Sequence, residues 1–162
     1  MTIGGPFAAE LQKNLQDNLI NKTRNAVYAA GFQPQPHHIH LEKYIPISSG
    51  LGGGSSDVAA YLRCLSNMMG LSLSEKQRLF CLAGGIGADV PVCLRPGYQI
   101  MQGDGTDVRP AKIKEGHLHC ALANPGNPML TATIFSELHP KNYSSKLISF
   151  PKQDAIQLKD IL

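Results

Sequence analysis

Four glycines within five positions, Gly50, Gly52, Gly53 and Gly54, stand between an extended segment ended by Pro46 and a run with helical spacing, in the stretch IPISSGLGGGSSDVAA at 45–60. A residue without Cβ permits left-handed backbone and lets the chain approach a ligand closely. A strand, glycine loop and helix in that order gather bare N–H groups at the amino end of a helix, where the helix dipole adds partial positive charge. Such a place suits an anion, and phosphate best of all. Ser55 and Ser56 follow directly and can either cap the helix or offer hydroxyls to phosphate or Mg²⁺. Neither standard nucleotide signature fits: Ser55, not Lys, follows Gly54, and no G-x-G-x-x-G aligns on Gly50 or Gly52. The simpler alternative is a glycine-serine linker with serine caps.

A second glycine cluster, Gly84, Gly85 and Gly87, precedes Asp89 in GGIGADVPVCL. An acid with so few charged neighbours, set near a phosphate cradle, is a candidate general base for a hydroxyl nucleophile. Read alone it is a cap or turn aspartate. Gly103 and Gly105 form a third cluster, so three close backbone approaches are expected.

Around these motifs the pattern alternates between helix and strand. Asp17 or Asn18 is placed to cap a helix through Leu19, Ile20, Thr23, Val27 and Ala30, stopped by Gly31. HHIHLEKY at 37–44 alternates as a strand does, with Ile39 and Leu41 on one face. Ser55 or Ser56 would cap a helix burying Val58, Ala59, Tyr61, Leu62, Leu65 and Met69, with Gly70 at its end and Met68 also read as core. Ser72 and Glu75 form a capping-box pair for a helix running to Gly84. VPVCL and YQIMQ read as strands in antiparallel pairing near the GDG turn at 103–105, HLHCALA at 117–123 as another strand, and Met129 to Leu138 as a helix.

Composition narrows the class. With 43 % apolar and 17 % charged residues in 162, the chain can bury a core and is not of the disordered type. A charge of +3 with scattered Lys and Arg argues against nucleic acid as a partner. No apolar run is long enough to span a membrane, and MTIGGPFAAELQKN lacks the pattern of a signal peptide, so the expected place is the cytoplasm of a bacterium. Cys64, Cys81, Cys93 and Cys120 fall singly, as reduced and mostly buried thiols would. His38 with His40, and His117 with His119, have no carboxylate or thiol at ligand spacing and read as exposed strand residues.

PISSGLGGGSSD resembles the phosphate-binding loop of the GHMP kinases. DNLI at 17–20, EKYIPISSGLGGGSSD at 42–57, GADVPVCL at 87–94 and NPGNPMLTATIF at 124–135, in that order, resemble the branch of the family whose small-molecule substrate is a cytidine diphosphate-linked polyol. The resemblance implies an α+β GHMP kinase fold with ATP and Mg²⁺ as cofactors. It implies that Gly50, Leu51, Gly52, Gly53, Gly54, Ser55 and Ser56 wrap the ATP phosphates, that Asn18 and Lys43 border the adenine, and that Asp89 takes the proton of the substrate hydroxyl. Phe135 would stack on the cytosine with Thr131 nearby. Without the resemblance, Phe135 reads as core.

The same resemblance implies an amino-terminal domain over 1–116, incomplete at its start, and the opening of a truncated carboxyl-terminal domain over 117–162. Family members carry an earlier strand with a lysine that partners the aspartate, a Tyr-His pair for the cytidine, and a later glycine-rich motif. These fall outside the 162 residues. Position 57, often Asn in relatives, is Asp57, whose charge would weaken phosphate binding unless the ion or the helix dipole offsets it. Thr106 stands where relatives tend to have Glu. Three readings follow: the polyol kinase, a nucleotide-binding fragment without turnover, or a GHMP kinase for another alcohol, as a monomer or weak homodimer.

Overall fold

The structure, a computed structural model, describes residues 1–13, 15–103, 105, 107–111, 121–123, 133 and 136–137. Strand β1 (Thr2–Gly4) leads through helix α1 (Ala8–Gln12), a 3-10 turn at Leu15–Asp17 and helix α2 (Leu19–Ala29) to strand β2 (His40–Glu42). The two strands pair in parallel, Ile3 opposite Leu41, as a connection through helices allows. Helices α3 (Gly53–Met68), α4 (Leu73–Cys81), α5 (Ala83–Ile86) and α6 (Val90–Cys93) follow. A hairpin of β3 (Gln99–Gln102) and β4 (Asp107–Pro110) comes after them, antiparallel, with Met101 opposite Val108. This mixture of helices with two small sheets is the expected α+β class.

The helix ends obey their local signals. Asn18 Oδ1 accepts from the Ile20 amide at 2.9 Å and caps α2. At the other end Gly31, with φ +86°, lets Phe32 N donate to Val27 O and Gly31 N to Tyr28 O, the paired bonds that close a helix. Gly70 does the same for α3, where Leu71 N donates to Ser66 O. The capping box of α4 is complete, with Ser72 Oγ and the Glu75 carboxylate each accepting from the other's backbone amide. One core joins α2 through α6: Val27, Val58, Leu62, Leu65, Leu79 and Val90 are fully buried in it.

Several expectations are corrected. VPVCL is helix α6, not a strand: Pro91 lacks an N–H that the first turn does not need, and Val90 and Leu94, four apart, bury one face. β3 therefore pairs with β4 across the third glycine cluster. The strand at 37–44 shrinks to His40–Glu42, because its partner β1 is only three residues long. Neither Ser55 nor Ser56 caps α3. The helix begins earlier, with Gly52 as N-cap at φ +65°. The helix expected to run from Ser72 to Gly84 ends at Cys81, and α5 takes over. Met68 is exposed, as are Cys64 and Cys81, while Cys93 is half-buried. Ala121–Ala123, the described part of HLHCALA, has no regular structure. The region around Met129 to Leu138, with Thr131 and Phe135, and also Cys120 and Thr106, lie outside the described residues apart from 133 and 136–137.

Candidate functional site: a glycine-lined cleft

Between β2, the 45–52 loop and the first turn of α3 lies a cleft of about 500 Å³. Its loop has left-handed φ at alternate residues, +55° at Ser48, +75° at Gly50 and +65° at Gly52. Backbone that alternates in this way can present successive amides to an anion. A Cβ on Gly50 or Gly52 would meet nothing within 4 Å, so both glycines serve backbone conformation and leave open space beside them. Gly53 and Gly54 are different: their missing side chains make room for Lys43 Nζ, 3.2 Å from the would-be Cβ of Gly53, and Leu19 Cδ1, 3.1 Å from that of Gly54.

Lys43 is fixed before its side chain begins. Its amide donates to Gly4 O at 2.9 Å and its carbonyl accepts from Phe7 N at 3.3 Å. Gly5, at φ +88°, passes so close to Lys43 that a Cβ there would stand 2.5 Å from its carbonyl oxygen. From this anchor the buried ammonium donates to Asp57 Oδ2 at 2.9 Å. Asp57 is thus paired across the root of the glycine loop. A bare ammonium against a helix amino terminus would be unfavourable, and Asp57 neutralises it.

Asp89 stands at the N-cap position of α6, yet its carboxylate makes no capping hydrogen bond there and lines the same cleft as the glycines. The reading of Asp89 as a helix cap is thereby removed. Gly87 brings the two motifs together, since a Cβ on it would lie 3.9 Å from Ser55 Oγ. Burial pushes the Cys93 thiol pKa up, the nearby Asp89 carboxylate adds to that shift, and Arg63 opposes it.

Of the expected nucleotide-binding residues, Asn18, Lys43 and the loop from Gly50 to Ser55 line the cleft together with Asp89. Ser56 does not line it and is exposed. Asn18 contributes with its side-chain oxygen already engaged as the cap of α2. Leu11, Leu19 and Leu41 supply apolar wall; Leu11 carries no signal of it in the sequence, and Leu41 is marked there only as one face of a strand. No group of three or more His, Cys, Asp or Glu suited to a metal occurs among the described residues. His40 instead bonds Thr2 Oγ1 at 2.8 Å and Glu42 Oε1 at 2.6 Å.

The profile of the GHMP kinases N terminal domain matches residues 18–97. Curated proteins named 4-diphosphocytidyl-2-C-methyl-D-erythritol kinase are similar to the chain. That of Granulibacter bethesdensis is 43 % identical over 138 residues, covering 83 % of this chain and 44 % of that protein. The one from Rhizobium johnstonii is 40 % identical over 142 residues, 87 % of this chain and 46 % of its own length. The Hyphomonas neptunium protein is 35 % identical over 137 residues, 85 % and 44 %. The chain spans under half the length of these relatives. Lys43, the glycine loop, Asp57 and Asp89 all fall inside residues 18–97, the stretch that matches the GHMP kinases N terminal domain.

Proposed function

We propose that this chain is the nucleotide-binding part of a kinase that transfers the γ-phosphoryl group of ATP to the 2-hydroxyl of 4-diphosphocytidyl-2-C-methyl-D-erythritol, in isoprenoid precursor synthesis. One observation carries the reading: the glycine loop and a carboxylate free of any capping role line a single cleft. Loop amides and the amino end of α3 would hold the triphosphate, as such termini hold anions generally. Asp89 would accept the hydroxyl proton as the substrate oxygen bonds the γ-phosphorus and the bond to the β-phosphate oxygen breaks, releasing ADP. The Ser55 hydroxyl, one of the oxygen donors lining the cleft, would face Mg²⁺, and the ion would supply neutralisation of phosphate charge. Asn18 and Lys43 would border the adenine, with Thr131 and Phe135 on the cytidine side.

The same reading gives an amino-terminal domain over 1–116 and the start of a second over 117–162, in a cytoplasmic monomer or weak homodimer. Among the described residues no helix is long and apolar enough to cross a membrane. The test is ADP release by the 162-residue chain with Mg·ATP and the diphosphocytidyl substrate. Asp89→Asn is expected to lower turnover about 10²–10⁴-fold with ATP binding kept; near wild-type turnover would overturn the role of Asp89. A second reading, a nucleotide-binding piece without turnover of its own, is favoured by the chain's share of its relatives' length. It predicts binding of an ATP analogue without ADP release. Protection from proteolysis by ATP but not by cytidine nucleotides would point to a different alcohol substrate.

A further inference from the structure

Helix α6 is four residues long, far below the length at which a helix persists unaided, yet Asp89 stands at its amino end. Its position must come from outside. At its far end, Arg63 Nη1 donates to Cys93 O at 2.7 Å, while Gln99 Nε2 donates to Val92 O at 3.1 Å and to Arg95 O at 2.5 Å. Behind its near end, the would-be Cβ of Gly105 lies 3.1 Å from Ala88 O, so the hairpin turn backs the residue before Asp89.

Among these supports Arg63 differs in origin: it belongs to α3, whose first turn is the floor of the cleft. Ten residues, or about 15 Å of helix rise, separate Gly53 from Arg63. The two helices run side by side in the same sense, with Gly87 against Ser55 at one end and Cys93 O on Arg63 at the other. Val90 and Leu94 share a core with Val58 and Leu62 between these points. A packed interface alone permits sliding; a hydrogen bond from a planar guanidinium to a helix-end carbonyl opposes it.

We propose that Arg63 is a positioning residue for Asp89, setting the register of α6 on α3 and hence the placement of the carboxylate relative to the glycine loop. Arg63 touches neither the loop nor the cleft. The inference rests on the proposed role of Asp89, and its test separates the two. In the ligand-free 162-residue chain, Arg63→Gln should speed exchange of the Cys93 and Leu94 amides, which bond Asp89 O and Val90 O, by about tenfold, leaving the amides of α2 unchanged. Turnover should fall about 10–100-fold, the usual penalty for a misplaced group, with the KM for ATP within about twofold. Arg63→Lys, which keeps a donor, should recover part of both. Unchanged exchange in α6, kcat and KM moving together, or no recovery by lysine would each overturn the role of Arg63. If the wild-type chain bound no nucleotide, the reading of the cleft would fail, while the exchange comparison would still decide Arg63.

Discussion

Lys43 and Asp57, fourteen positions apart, meet at 2.9 Å across the base of the glycine loop, the lysine side chain 9 % exposed and the aspartate 29 %. The pair does two things at once. It ties the strand side of the loop to the helix side, and it neutralises Lys43, the Lys or Arg found among the described residues that line the cleft.

These two effects predict opposite consequences of one substitution. Asp57→Ala should destabilise the chain by about 1.5–3 kcal/mol, since a mostly buried ammonium loses its charged partner. Asp57→Asn, which keeps an acceptor, should cost less. Both should bind an ATP analogue more tightly, by about two- to tenfold, because the cleft gains one net positive charge; the gain should shrink at high salt. Thermal melts and nucleotide titrations on the same samples check this. Affinity that fell along with stability would mean that the pair acts on the nucleotide only by holding the loop.

The glycines of the loop should separate in the same measurements. Gly52 sits at φ +65° with open space around it, so Gly52→Ala should cost about 1–2 kcal/mol through backbone strain alone. Gly54 is inside the first turn of α3 and outside the left-handed region, and only the movable end of Leu19 crowds its absent Cβ. For Gly54→Ala the helical preference of alanine, about 1 kcal/mol over glycine, offsets that contact and leaves stability near wild type. A stability loss at Gly54 equal to that at Gly52 would contradict this division.

What could be read from the chain beforehand divides along the same line, between local and distant causes. The stops at Gly31 and Gly70, the Asn18 cap and the Ser72–Glu75 box are each written within six residues and appear where expected. The glycine loop was legible for the same reason. Helix α6 reads as a strand because alternating Val90, Val92 and Leu94 suit a buried strand equally well; only the neighbouring α3 makes the Val90–Leu94 face the one that is buried. Ser55 and Ser56 looked like caps because serine favours that place, but a left-handed Gly52 starts the helix first. Asp57 reads as an extra charge and Lys43 as a nucleotide neighbour, with nothing to pair them, since no periodicity links residues across a loop. Asp89 reads as a candidate base from its own neighbours, whereas the bond from Arg63 to Cys93 O joins residues thirty positions apart and has no local signal.

The capping box of α4 makes a prediction about pH. Two hydrogen bonds from Ser72, hydroxyl first and backbone amide second, hold the Glu75 carboxyl below its ordinary value of 4.5; Arg78 adds to the shift and slight burial opposes it. A carboxyl whose folded value is depressed stabilises the fold above its unfolded value and loses that contribution as pH falls through the folded one. The box should therefore be at full strength at neutral pH and fade only below about 4.5, where the unfolded chain takes up the proton first. Glu75→Gln, which never ionises, should melt lower than wild type at pH 7. The gap should narrow steadily as pH drops from 5 to 3, because the wild-type side chain then loses its charge too. Since Glu75 is exposed, added salt should reduce the gap at pH 7 as well. Melting curves of the two proteins at matched pH and salt decide it: a gap that stays constant down to pH 3 would show that the Ser72–Glu75 contact stabilises α4 without using the carboxylate charge.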